Sequence, residues 1–208
     1  LDEIHRLDEP SEILKLAGEI NEKLRNGEKI YNFTVGDFNS KLFPIPAELK
    51  KEIQAAYEND ETNYPPADGI LELRQAVSEF LLAKGGLDYK PEQILIAGGA
   101  RPIIYGIFRT LVDEGDTVLF QIPSWNNNHY TYLLHSKAIA VETKAENNFM
   151  PTAAELKPHI AQANLLSICS PLNPTGTSFS KEGLTEICDL VIEENRKRNA
   201  LGKKPLYV

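Results

Sequence analysis

Thr117-Val118-Leu119-Phe120-Gln121-Ile122-Pro123-Ser124-Trp125 is the stretch from which the fold can be read. Its first six residues form an apolar run of strand length, closed by Pro123, and polar residues follow as far as Asn128. The run reads as a β-strand, and 125–134 behind it as a helix. On either side the same alternation repeats. Ile94-Leu95-Ile96 reads as a strand and 103–111 as a helix. After the central stretch come a strand over 138–141 and a short helix opened by the capping box Thr152 and Glu155. A strand over 164–169, a helix over 180–198 and a further strand from Leu206 complete the series. Short apolar strands alternating with helices imply an α/β fold: a mostly parallel sheet with helices on both faces.

Towards the N-terminus the alternation fades. Ile13, Leu14, Leu16, Ala17, Ile20 and Leu24 recur at helical spacing within 10–27, with Pro10 suited to the first turn and Gly27 to the position past the end. A short strand is expected over 30–35, ending at Gly36. Pro44 and Pro46 mark a break, and Leu49, Ile53 and Tyr57 line a helix after it. A polar loop over 59–68 leads into a helix carrying Ile70, Leu73, Val77, Phe80 and Leu81 on one face, stopped by Gly85-Gly86.

Composition narrows the function classes. With 208 residues, and roughly 150 per domain, the chain holds one large domain or one and a half. Lys plus Arg number 22 against 30 Asp plus Glu, a net charge of −8, so no bulk attraction to nucleic acid or an anionic membrane is expected. Hydrophobic residues at 42% and charged residues at 25% are ordinary for a globular protein and argue against disorder. No apolar run is long enough to span a membrane, and no signal peptide is expected. Cys169 and Cys188 have apolar neighbours and no CxxC or His/Cys cluster around them. They are expected to be reduced, buried thiols in a cytoplasmic protein without a metal site.

In parallel sheets of this kind ligands bind beyond the carboxyl ends of the strands. Three segments follow strands and carry candidate chemistry. Gly98-Gly99 ends a strand just before a helix, where backbone N–H groups and the helix dipole favour an anion; a glycine turn chosen for close packing is the plainer reading. Trp125, the only tryptophan, is either core or, given its polar neighbours, a pocket wall for a planar ring. Ser170-Pro171-Leu172-Asn173-Pro174-Thr175-Gly176 holds Asn173 between two prolines, placing a neutral amide at the mouth of the sheet. A Pro-rich strand-to-helix turn would explain one proline but not the whole run.

That last run, with Thr177, resembles the SPxNPTG segment of class I/II aminotransferases, pyridoxal-phosphate enzymes of the aspartate aminotransferase type. The resemblance extends along nearly the whole chain in family order. Thr34-Val35-Gly36-Asp37 resembles the early glycine segment, and Tyr64-Pro65-Pro66-Ala67-Asp68-Gly69 with Leu73-Arg74 the Y…G…LR segment. Gly98-Gly99-Ala100-Arg101 resembles the phosphate turn, and Pro123-Ser124-Trp125 the aromatic segment.

The resemblance implies roles residue by residue. Backbone amides around Gly99, Ala100 and Arg101 would hold the phosphate of pyridoxal 5′-phosphate, Trp125 would stack on its ring, and Asn173 would hydrogen-bond its phenolic oxygen. Tyr64 would reach the cofactor of a partner subunit, implying a homodimer. Gly36 would lie beside the substrate, and Arg101 is a candidate for the distal carboxylate of a dicarboxylic amino acid. The implied activity is transfer of an amino group between an amino acid and a 2-oxo acid. A β-lyase or related synthase on the same scaffold, or a non-catalytic ligand-sensing domain, are the alternatives. Residues 1–43 would form an N-terminal arm and small-domain segment, and 44–208 a large cofactor-binding domain, incomplete at the C-terminus. The family's Schiff-base Lys is expected beyond Val208, so none of the residues present is expected to be that catalytic group, and the 208 residues alone are expected to be inactive.

Overall fold

The computed structural model describes residues 12–34 and 36–208. The chain divides into two compact units, Leu1–Tyr64 and Pro65–Val208. Within the first, helix α1 (Glu12–Arg25) ends where Gly27 takes a left-handed φ of 85° and its N–H donates to the carbonyl of Leu24. Pro10 and Val35, which the sequence placed in the first helical turn and at a strand end, lie outside the described residues. Over 30–34 the expected strand does not form: the chain is irregular, with no neighbouring strand to complete a ladder, and Phe33 is 91% exposed. Helix α2 (Ala47–Glu58) follows Pro46, with Leu49, Ile53 and Tyr57 all exposed.

The second unit carries the sheet. Helix α3 (Leu71–Gly85) ends on Gly86 in the left-handed region, as the glycine pair predicts. A single 3-10 turn, Pro91–Gln93, precedes the segment read as a strand, Ile94-Leu95-Ile96. That segment joins no ladder; the N–H of Ile96 instead donates to the carbonyl of Asp68, in the loop before α3, at 3.0 Å. Then come α4 (Ala100–Leu111), β1 (Thr117–Ile122), α5 (Asn127–Leu133), β2 (Lys137–Glu142), α6 (Ala153–Ile160), β3 (Leu165–Ser167) and α7 (Lys181–Ala200).

β1 lies between β2 and β3, and both pairings are parallel. The predicted α/β architecture is therefore present, with a β3 shorter than expected. The strand expected from Leu206 is represented by one parallel bridge, Leu165 to Tyr207. Side chains alternate across β1. Val118 and Phe120 pack with Phe108 of α4 and with Tyr130 and Leu134 at α5. Leu119 faces the other way, packing with Val141, Leu156, Ile160, Leu166 and Ile187. Burial of both faces explains the consecutive apolar residues Val118, Leu119 and Phe120. The thiols are the exception to the buried reading: Cys169 and Cys188 are both exposed and free. Cys188 follows the buried Ile187 on α7, and a helical step of about 100° carries it from the core face to solvent.

The amino-terminal rim of the sheet is clamped. Asn164 accepts the N–H of Thr117 on its side chain at 3.0 Å and donates its own N–H to the carbonyl of Thr117 at 2.7 Å. Arg198, 7% exposed, donates to the carbonyls of Ile160, Ala161 and Ala163 at 2.8–3.2 Å and pairs with Glu194 at 2.7 Å. The carboxyl rim carries loops instead.

Candidate functional site

Gly99 begins the site. It is the N-cap of α4 with φ 125° and ψ 167°, a backbone region accessible essentially to glycine alone. Its own N–H donates to the carbonyl of Ala97 at 2.8 Å. The first-turn N–H groups of Ala100 and Arg101 enter no described hydrogen bond, and Pro102 has none to offer. The turn thus presents two free donors at the positive end of a twelve-residue helix.

From this first turn the Arg101 guanidinium reaches over the ring of Trp125, 5.9 Å from its centroid. Trp125 is 43% exposed, a partly open ring rather than a core residue. It follows β1 by way of a cis Ile122–Pro123 bond, and Asn126, at φ 64°, turns the chain into α5. Between α4 and α5 lies a cavity of about 390 Å³ lined by Arg101, Tyr105, Asn126, His129 and Leu133 among others.

The Asn173 loop leaves the adjacent strand β3 at the same rim. It is closed on itself: the N–H of Gly176 donates to Leu172 and that of Leu172 to Thr177, both at 2.7 Å. Leu172, 1% exposed, pins the loop to the core, while Asn173 stands exposed at its turn between two cis prolyl bonds. Thr175 and Thr177 share a hydroxyl bond of 2.7 Å.

Two residues that the sequence reading passed over join these pieces. Asn127, 8% exposed, accepts the hydroxyl of Ser167 at 2.8 Å, tying the start of α5 to the end of β3. The signal was present in the run Asn126-Asn127-Asn128, where the spacing cannot tell a buried amide from its solvated neighbours. Arg74, quoted above without a role, donates to the carbonyls of Gly69 and Pro91 at 3.1 and 3.0 Å and pairs with Asp68 at 3.1 Å. The structure therefore brings Gly99, Ala100, Arg101 and Trp125 together, with Asn173 on the loop of the neighbouring strand. Gly36 and Tyr64 belong to the first unit; Tyr64 is fully exposed, and a Cβ on Gly36 would meet nothing within 4 Å. Among the described residues no His, Cys, Asp or Glu cluster could hold a metal, and no helix is long and apolar enough to cross a membrane.

Known proteins resemble this chain in sequence and in fold. A protein of Aquifex aeolicus described as a "Probable aspartate/prephenate aminotransferase" is 30% identical over 190 residues, 88% of this chain and 46% of that protein. An aspartate aminotransferase of Bacillus sp. strain YM-2 is also 30% identical, over 89% of this chain and 47% of its own length. The structure of the Thermus thermophilus aspartate aminotransferase with maleate superposes with a TM-score of 0.80 at 27% identity, covering 94% of this chain and 51% of that one. The chain spans about half the length of the curated relatives it matches. The profile of the family "Aminotransferase class I and II" matches residues 28–196, and the chain belongs to that family.

Proposed function

We propose that these residues form the phosphate and ring contacts of a pyridoxal 5′-phosphate site, in a protein that transfers an amino group from an amino acid to a 2-oxo acid. The observation that carries this reading is the joining of the free α4 N-terminus to Trp125 through Arg101, at the same sheet rim as the Asn173 loop. The donor set fits the group. Two unpaired N–H groups and a helix dipole suit a phosphate, an open indole face suits a planar ring, and an exposed neutral amide suits a phenolate.

Pyridoxal phosphate, when bound, would supply the electron sink for the transfer. The chain's own residues bind and orient. Ala100 and Arg101 would donate their N–H groups to the phosphate, Trp125 would offer its face to the ring, and the Asn173 amide would donate to the phenolic oxygen, favouring its anionic form. The Leu172–Thr177 and Gly176–Leu172 bonds hold the loop backbone that carries Asn173.

In the same reading, Arg101 meets the distal carboxylate of a dicarboxylic substrate; maleate, named with the Thermus thermophilus structure, is itself a dicarboxylate. Gly36 lies beside the substrate, and Tyr64 reaches the cofactor of a second subunit in a homodimer. The division into an arm and small-domain segment (1–43) and a large cofactor domain (44–208) belongs to this reading as well.

The test is to incubate the complete protein, carrying the family's Schiff-base Lys, with pyridoxal phosphate and an amino acid and to analyse the cofactor by chromatography. Pyridoxamine phosphate with one equivalent of 2-oxo acid is expected. Release of pyruvate and ammonia with unchanged cofactor would assign β-elimination instead. Arg101→Ala should depress turnover of aspartate and glutamate while sparing monocarboxylic amino acids; an equal loss for both would remove Arg101 from substrate recognition.

A further inference from the structure

The phosphate turn does not hang from the sheet, because the segment leading into it, Ile94-Leu95-Ile96-Ala97, joins no strand ladder. Something else must fix where Gly98 and Gly99 emerge. The contact that holds this segment is made by the loop before α3. The N–H of Ile96 donates to the carbonyl of Asp68 at 3.0 Å, and Gly69, at φ 96°, presses against Ile96 so closely that a Cβ would lie 2.6 Å from the Ile96 Cβ. That loop is in turn held by one side chain. Arg74, 11% exposed, grips it through the carbonyl of Gly69 and the carboxylate of Asp68, and reaches the carbonyl of Pro91 at the entry to the extended segment.

We propose that Arg74 is a positioning residue for the anion-binding turn: through Asp68, Gly69 and Ile96 it sets the place of the Ala100 and Arg101 N–H groups. A guanidinium suits this task because its planar fork serves three acceptors in fixed directions, which a single ammonium cannot match. The inference rests on the phosphate reading of that turn, and its test separates the two.

Amide NMR spectra of the chain are recorded during titration with inorganic phosphate. In the parent protein the Ala100 and Arg101 resonances should move. Arg74→Ala should weaken phosphate binding at those amides by about tenfold, the equivalent of one charge-assisted hydrogen bond. Arg74→Lys should fall between the two. Gly69→Ala, which drives the same contact apart without touching a charge, should weaken binding likewise and serves if Arg74→Ala does not fold. Arg198→Lys is the control, since it loosens a clamp at the opposite rim and should lower thermal stability while leaving phosphate affinity at its parental value. The positioning role is overturned if folded Arg74 and Gly69 variants bind phosphate like the parent, or if Arg198→Lys weakens binding equally. A parent protein whose Ala100 and Arg101 amides ignore phosphate would overturn the phosphate reading itself, and the positioning role with it.

Discussion

At Gly99 the backbone occupies φ 125° and ψ 167°, and any side chain there must be strained or must move the turn. Gly99→Ala is expected to cost about 1–3 kcal/mol in urea unfolding and to abolish the phosphate-induced shift of the Ala100 amide. Gln121 presents the reverse problem: it is 1% exposed near the carboxyl end of β1, and neither its Oε1 nor its Nε2 has a hydrogen-bond partner. Replacing an unsatisfied buried amide by an apolar group of similar shape removes a desolvation cost, so Gln121→Met should equal or exceed the parent in stability, by up to about 1–2 kcal/mol. A urea midpoint clearly below the parent's would refute this. The Asn127–Ser167 bond is open to a double-mutant cycle with alanine at each position, with an expected coupling of about 0.5–1.5 kcal/mol.

At the scale of elements, the pieces best legible in the sequence are those whose ends carry their own chemistry. The Thr152–Glu155 capping box forms in full, with the Thr152 N–H donating to the Glu155 carboxylate at 2.8 Å and the Glu155 N–H donating to the Thr152 hydroxyl at 3.2 Å. Thr152→Ala should lower stability by about 1 kcal/mol in thermal or urea unfolding. The Gly86 cap and the strand Thr117–Ile122 follow their sequence signals equally closely. Ile94-Leu95-Ile96 and 30–34 do not. Both have strand composition, but a strand exists only where a neighbour completes its ladder, and no local pattern encodes the neighbour. The long-range clamps were illegible for the same reason: the sequence shows Arg74 and Arg198 but not the carbonyls that converge on them. Two candidate residues stand in short runs with a local backbone reason, Gly99 at a positive φ and Asn173 between prolines.

At the scale of the whole molecule, Phe38, Leu42 and Phe43 of the first unit are 75%, 72% and 64% exposed, and Phe38 contacts Phe43 edge-on with centroids 5.2 Å apart. Exposed apolar clusters of this kind favour association. In the homodimer reading, sedimentation should show concentration-dependent self-association of the chain, shifted towards monomer by the Phe38→Ser and Leu42→Ser double variant. The second unit divides its labour between two rims. Its amino-terminal rim holds Asn164 against Thr117 and Arg198 against three carbonyls, while its carboxyl rim presents Trp125 and Asn173 on loops, the second pinned to the core by Leu172. This polarity makes the unit evolvable. Under the proposed function, exposed loop residues such as Asn173 can be replaced at small risk to folding, because the clamps that secure the sheet lie at its other end.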